Sequence, residues 1–575
     1  MRQLSLCIFM AGLCLAVALP GFGMGDHPSF DNHLVARAEV DECFNGLGAP
    51  YVPGPDCTFD QSPKANQAYL WGLTRAGDKL WFGTAANMPC LVRAYSAYSA
   101  DNDGGLVSDV SAYKNDLWLC EYDQGLYPET EMITSIPDVF SDYRPPKIYT
   151  YDIESRVLMD MSGAISEMDD QIRLESTFGL RSAVAFDDMV FLSGPVALGE
   201  GINMFVFDAV TGAFIQSATL TDYQNIRKWL VLDGVLYAAV ADENGGGKVL
   251  RWTGSKTAPF SFVEVGRLDG AGSEIAAHKG RIFVGTWPSR GENSANAGLW
   301  MSPVVPAGGL TGNDYSSWKK VWQVDEYEPD TLNASIYGIG AMASYGDYLY
   351  WGTMHVQGNA ALTFINEYNM GMAKYIQTYF NSWRATTLFR GKNFESEKEV
   401  DLLYGNRSLP VYVHLGDSRG YWTRRDNNMG GIAGRYGRSG FGNVYNNYTW
   451  TMAKYAGQLF VGTMDHSYLW LDWDNLQRYN IDGESMSIPF LDISWLYTPS
   501  QEEYGADLWR FPSPDSAAVR VSRDGLGNYT NYGFRSVAVD EDTGLYLGTA
   551  NPASIHTDRN GNFQGGWELI RVYER

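Results

Sequence analysis

GDYLYWGTMHV (residues 346–356) and AGQLFVGTMDH (456–466) share one construction: a turn, a run of alternating apolar and aromatic residues, then Gly-Thr. Alternation with a period of two marks a half-buried strand, and the turn before it marks a hairpin. Working outward from this pair, GDKLWFGTAAN starts at Gly77, KGRIFVGTWPS at Lys279 and TGLYLGTANPA at Thr543. Degenerate copies stand at Asn115 (NDLWLCEYD), Asp187 (DDMVFLSGP) and Asp233 (DGVLYAAVA). Another apolar strand precedes each turn, as in TWTMAKYAG (449–457) and FRSVAVDEDTG (534–544). A second hairpin often follows, as in KIYTYDIESRVLMDM (147–161), MFVFDAVTGAFIQSATL (204–220) and GKVLRWTGSKTAPFSFVEV (247–265).

The repeated unit is therefore four antiparallel strands. Such a sheet cannot bury both faces alone, and radial stacking buries each unit between its neighbours. The pattern predicts an all-β fold, a β-propeller of about eight four-stranded blades with loop insertions, or seven if the Asn115 copy is not a blade. A small residue recurs six places before the first apolar residue after the turn: Thr74, Ser111, Ala276, Ala343, Ala453 and, with one extra turn residue, Ala538. Val184 and Leu230 are the exceptions. Crowding of innermost strands about an axis accounts for the preference. The last unit ends after a third strand in GGWELIRVYER, so its fourth is expected from the segment before Ala68, with HLVARAEV (33–40) as the candidate. The expected division is a signal peptide over 1–25, an N-terminal segment with the closing strand over 26–67, and the propeller over 68–575. Residues 121–145, 366–405 and 468–503 exceed a minimal blade, and the middle stretch is expected to hold a short helix.

Charge narrows the partners. The 43 basic and 67 acidic residues of the 575-residue chain give a formal net charge of -24, which repels a phosphate backbone and excludes nucleic acid. Arg2 followed by the apolar run Leu6–Leu19 reads as an export signal, placing the chain in the periplasm or outside the cell. No later stretch is long enough to span a membrane. Four cysteines follow the signal, with Cys43–Cys57 and Cys90–Cys120 the preferred disulfides among three connectivities. The absence of CxxC spacing argues against structural zinc and covalent haem.

On these hairpins and on VFDAVTG (206–212), whose Asp-x-x-Thr-Gly turn is similar to that of quinoprotein-type repeats, the chain resembles exported bacterial β-propellers with quinoprotein-like or YVTN-like repeats. The resemblance covers roughly residues 68–575 and implies a fold only. The regular tryptophan-docking pattern of quinoproteins is missing, so it implies no quinone cofactor.

The repeat also locates a site. In a hairpin, the start of the first strand and the end of the second share one edge, so like positions in all units gather on one face. Nine places before the apolar anchor stand Trp71, Ser108, Arg181, Arg227, Ser273, Gly340, Trp450 and, with the same extra residue, Arg535. Just after the second strands stand Glu121, Asp123, Asp242, Trp287, His355, Asp465, His466 and Asn551. Trp71, Arg181, Arg227, Trp287, Trp450 and Arg535 suit a carbohydrate or another extracellular polymer, because guanidinium forks grip carboxylate or sulfate and indoles cover a sugar ring. His355, Asp465 and His466 are the candidate acid and base of a polysaccharide hydrolase or lyase. Ca2+ is the candidate cofactor, on Asp101, Asp103 and Asp109 of SADNDGGLVSD (99–109). A structural surface scaffold docking a protein partner is the further alternative.

Overall fold

Every Gly-Thr stretch forms the second strand of a hairpin in the computed structural model, which describes residues 29–44, 52, 54–58, 61–88, 143–197, 199–242, 245–289, 295–467, 504–552, 554 and 563–575. The paired strands are Gln67–Ala76 with Lys79–Ala86, Ser182–Phe186 with Met189–Pro195, Tyr223–Leu232 with Val235–Asp242, and Ala271–His278 with Arg281–Trp287. Tyr337–Tyr345 with Tyr348–His355, Asn446–Tyr455 with Gln458–Asp465, and Gly533–Asp540 with Gly544–Ala550 follow. Several of the turns have two consecutive residues with positive φ, including Asp233-Gly234, Lys279-Gly280 and Ala456-Gly457, the conformation whose twist matches that of the strands it joins. Each hairpin continues into outer strands, for example Ile202–Asp208 and Phe214–Leu220, to make four-stranded antiparallel sheets of the kind found in propeller blades.

The small-residue position faces an aromatic residue across each hairpin. Thr74, Val184, Leu230, Ala276, Ala343, Ala453 and Ala538 pair across the hairpin with Trp81, Phe191, Tyr237, Phe283, Tyr350, Phe460 and Tyr546. A small side chain faces a large aromatic one in most units.

Gly-Thr recurs because each residue has its own task. A Cβ on Gly83, Gly285, Gly352, Gly462 or Gly548 would stand under 3.0 Å from a side-chain atom of Leu180, Ile339, Thr449, Phe534 or Leu70, respectively, each on the entry to the next unit's first strand. The third unit carries Ala239 instead, and there the following strand supplies Gly272, where a Cβ would meet that of Ala239 at 2.9 Å. The threonine holds the sheet's third strand. Oγ1 of Thr84, Thr286, Thr353, Thr463 and Thr549 accepts a hydrogen bond from the backbone N–H of Lys147, Gly298, Thr387, Asp507 and Glu568 at 2.8–3.0 Å. This satisfies a buried donor just ahead of the strand pairing.

The first strands lie against one another in chain order, and the last lies against Gln67–Ala76. Apolar clusters fill the spaces between units, as where Phe191 and Val206 pack with Trp229 and Leu236. An N-terminal strand, Phe30–Arg37, starts three residues earlier than the candidate segment and pairs antiparallel with Glu568–Glu574 as the fourth strand of the last sheet. Arg37 bonds Glu568 at 2.7 Å, and Arg575 bonds Asp31. Cys43 and Cys57 form the expected disulfide. The middle stretch holds the helix Tyr375–Ser382, a further helix, Gln357–Glu367, ends at its start, and an additional hairpin, Ser408–His414 with Gly420–Asp426, follows it.

The signal region, the Asn115 copy, Ser108, Ser111, Glu121, Asp123, Cys90, Cys120, the stretch 468–503 and the Ca2+ candidates Asp101, Asp103 and Asp109 lie outside the described residues. Among the described residues, no group of three or more His, Cys, Asp or Glu could hold a metal ion, and no helix is long and apolar enough to cross a membrane.

Candidate functional site

Register brings together the six residues expected to bind ligand, in three cation–π pairs. The Arg181 guanidinium lies 5.1 Å from the ring centre of Trp71, Arg227 lies 5.1 Å from Trp287, and Arg535 lies 5.6 Å from Trp450. In each pair the two residues come from adjacent units. The indoles are seated on glycines: a Cβ on Gly179, Gly338 or Gly533 would stand under 3.0 Å from the ring of Trp71, Trp287 or Trp450. Tyr69 meets Trp71, and Tyr448 meets Trp450, in nearly perpendicular ring pairs 6.1 and 5.8 Å apart. These aromatic residues, Tyr532 and Met354 form one apolar cluster. At the other equivalent positions among the described residues are Ser273 and Gly340.

The three guanidiniums are close enough to repel one another. Burial, then Arg227 and Arg535, push Arg181 well below the ordinary arginine range. Burial also pushes Arg227 down, while Arg535 is brought to about 9 by burial and by Arg227. A guanidinium keeps its charge at any ordinary pH. The three charges are therefore held in an environment that disfavours them.

Internal partners do little to relieve it. Arg181 donates to Asn225 Oδ1 at 2.9 Å, and Arg227 reaches only Met354 Sδ at 3.6 Å. Nε of Arg181 and Arg227, and both Nε and Nη2 of Arg535, are buried without a hydrogen-bond partner. The carboxylate that acts on all three is Glu274, which is itself 3.2 Å from Lys228. Three guanidiniums and Lys228 against Glu274 leave an excess of three positive charges, in a chain whose formal net charge is -24.

The expected catalytic residues have separate partners. His355 is fully buried, with Nε2 2.9 Å from Asn333 Oδ1 and its ring against Tyr337. Burial and then Arg384 hold it well below the usual histidine range, so it is neutral. Asp465 Oδ2 accepts from Asn443 at 2.6 Å and Oδ1 accepts from the Ser467 N–H at 2.7 Å. Burial and neighbouring Asp507 raise Asp465 to about 7, and Asp507 is raised to about 6 by its own burial. His466, brought down to about 4 by burial, stacks on Tyr532 and so borders the aromatic cluster. Among the described residues no bond joins His355 to Asp465 or His466.

Several contributors were not among the sequence candidates: Glu274, Tyr448, Tyr532 and the three glycines beneath the indoles. A signal for part of them exists, since FGLRSAV (178–184) and YGFRSVA (532–538) repeat the same Gly-x-Arg-Ser entry to a first strand.

The sequence matches no family model and no curated protein. Among solved structures it is distantly similar to the β-propeller domain of the Trilobed protease from Pyrococcus furiosus, at 9% identity and TM-score 0.27, covering 63% of this chain and 90% of that one. It is also similar to a prolyl endopeptidase, at 8% identity and TM-score 0.34, covering 88% and 50%. A third is the PQQ-bound aldose sugar dehydrogenase from Streptomyces coelicolor, at 11% identity and TM-score 0.26, covering 76% and 93%. These likenesses bear on no activity.

Proposed function

We propose that the chain is an exported, closed propeller of seven blades that binds an acidic carbohydrate, or a comparable anionic extracellular polymer, at the arginine and tryptophan cluster. Closure is supported by the ring of adjacent first strands and by the N-terminal strand that completes the last sheet. The Cys43–Cys57 disulfide supports an oxidising compartment. The observation that carries the functional reading is the convergence of three mutually repelling guanidiniums, Arg227 and Arg535 buried and Arg181 half-buried, each against an indole and none with a carboxylate bonded to it. Such forks match carboxylate or sulfate oxygens, and the aromatic walls match the apolar face of a pyranose.

Titration calorimetry with uronic-acid oligosaccharides and their carboxyl-reduced counterparts tests this. Only the acidic series binds, and Arg181→Ala with Arg227→Ala abolishes binding while His355→Ala with His466→Ala preserves it. Equal binding of the reduced series would remove the anion reading.

A hydrolase or lyase acting on the same polymer is the second reading. It draws on Asp465, a buried carboxyl that keeps its proton up to about pH 7, next in sequence to His466 at the edge of the aromatic cluster. Its test is the appearance of new chain ends in the polymer, lost in Asp465→Asn.

A further inference from the structure

A second cluster of arginines lies outside the site just described. Between the helix Tyr375–Ser382 and the hairpin Ser408–His414/Gly420–Asp426 is a cleft of about 630 Å³. Arg407, Arg424 and Arg438 line it, Phe380, Trp383 and Val444 contribute an apolar wall, and none of the lining residues is acidic. All three arginines are exposed. Arg424 bonds only Ser408, and the side chains of Arg407 and Arg438 make no hydrogen bond or ion pair to any described residue. In a chain with 67 acidic residues, three arginines sharing one concavity without a carboxylate form a local reversal of charge. A cleft lined by one sign of charge focuses its field on the opening and favours an anion there.

One stretch of chain links the cleft to the arginine and tryptophan cluster. Val444 lines the cleft and accepts a hydrogen bond from the Trp383 indole at 2.9 Å, while Tyr448 and Trp450, on the strand that follows, belong to the other cluster. Six residues of extended backbone span at most about 20 Å. Both clusters therefore lie within the reach of one short acidic chain.

We propose that the cleft is a second anion site that holds an outer segment of an acidic glycan whose other segment occupies the arginine and tryptophan cluster. The charges recognised are carboxylate or sulfate. This deepens the proposed function and rests on it for the identity of the polymer, while the cleft's own anion binding stands apart from it. Nucleic acid is disfavoured by the net charge of -24.

The test compares short and long oligosaccharides, in a uronate series and a sulfated series, against the full chain and its Arg407→Ser/Arg438→Ser variant. Those two side chains have no bonds to lose, so thermal stability stays at the parent value. Long chains bind the parent at least about tenfold more tightly than short ones, because the second engagement is intramolecular. The variant loses that advantage and keeps parental affinity for short chains. Unchanged long-chain affinity in the variant overturns the proposal. If Arg181→Ala with Arg227→Ala leaves short-chain binding intact while the cleft variant still weakens long chains, the cleft stands and the reading of the other cluster fails. Whichever series shows the length effect identifies the charged group.

Discussion

Replacing Arg535 by methionine separates a ligand-binding arginine from a structural one. The side chain lies against Trp450 and makes no hydrogen bond or ion pair, so the substitution breaks no polar contact. Methionine retains the stem and its contact with the indole. Burial and Arg227 lower the Arg535 pKa from the ordinary arginine value to about 9. At 1.36 kcal/mol per pKa unit, this corresponds to about 5 kcal/mol of unfavourable environment for the charge at neutral pH. Loss of the cation–π contact returns about 2 kcal/mol at a desolvated site. The net expectation is a ligand-free protein more stable by about 3 kcal/mol, a rise in Tm of roughly 3 °C for a chain of this size. Calorimetry without ligand, followed by titration with the acidic oligosaccharide, reads both halves: Tm rises and affinity falls by at least about a hundredfold, the effect of a lost buried charge-assisted contact. A fall in Tm of several degrees would refute the reasoning, because it would show that Arg535 supports the fold and that its charge is already compensated.

The Gly-Thr logic predicts coupling between units. Gly83→Ala destabilises by about 1–3 kcal/mol through overlap with Leu180, whereas in a Leu180→Gly background, which reproduces the Ala239–Gly272 arrangement, the same change costs almost nothing; additive effects in denaturant melts contradict it. Asp465 gives a pH signature with a definite sign. Its folded-state pKa, raised to about 7, exceeds the unfolded value, so the native state binds the extra proton and this contribution to stability declines as pH rises from about 4 to about 7. Asp465→Asn removes the titration, and the stability difference between variant and parent moves in the variant's favour by up to about 4 kcal/mol across that window. Taking the difference cancels the opposing contributions of His278 and His466, both lowered to about 4. Reduction of the Cys43–Cys57 bridge, with its sequence separation of 14, lowers stability by about 3 kcal/mol, measured as the Tm difference with and without reductant.

Strand registers were readable before any coordinates because they depend on local signals. A turn sets where a hairpin begins, and alternation sets which face each residue occupies, so counting back from each aromatic anchor reaches Trp71, Arg181, Arg227, Trp450 and Arg535. The same counting also placed His355 and Asp465 in equivalent rows, but equivalence within a repeat does not by itself bond one side chain to another. His355 turns to Asn333 and Asp465 to Asn443, because each bonds to the loop polar groups of its own unit. The cleft at Arg407, Arg424 and Arg438 lies on an insertion outside the repeat, where no period guides the reading.

By itself, then, the sequence determined the hairpins, their register and the supply of the last sheet's fourth strand from the N-terminal side, since these follow from turn geometry and two-residue periodicity. Tertiary structure alone decided that Arg181 lies against Trp71, Arg535 against Trp450 and Arg227 against Trp287 of the following unit, and that Glu274 is the carboxylate acting on all three. The physical reason is that pairing within a hairpin is local, whereas the packing of one unit on the next depends on how closely their backbones approach. That approach is set by Gly83, Gly179, Gly338 and Gly533, whose missing side chains leave the space the neighbouring unit fills.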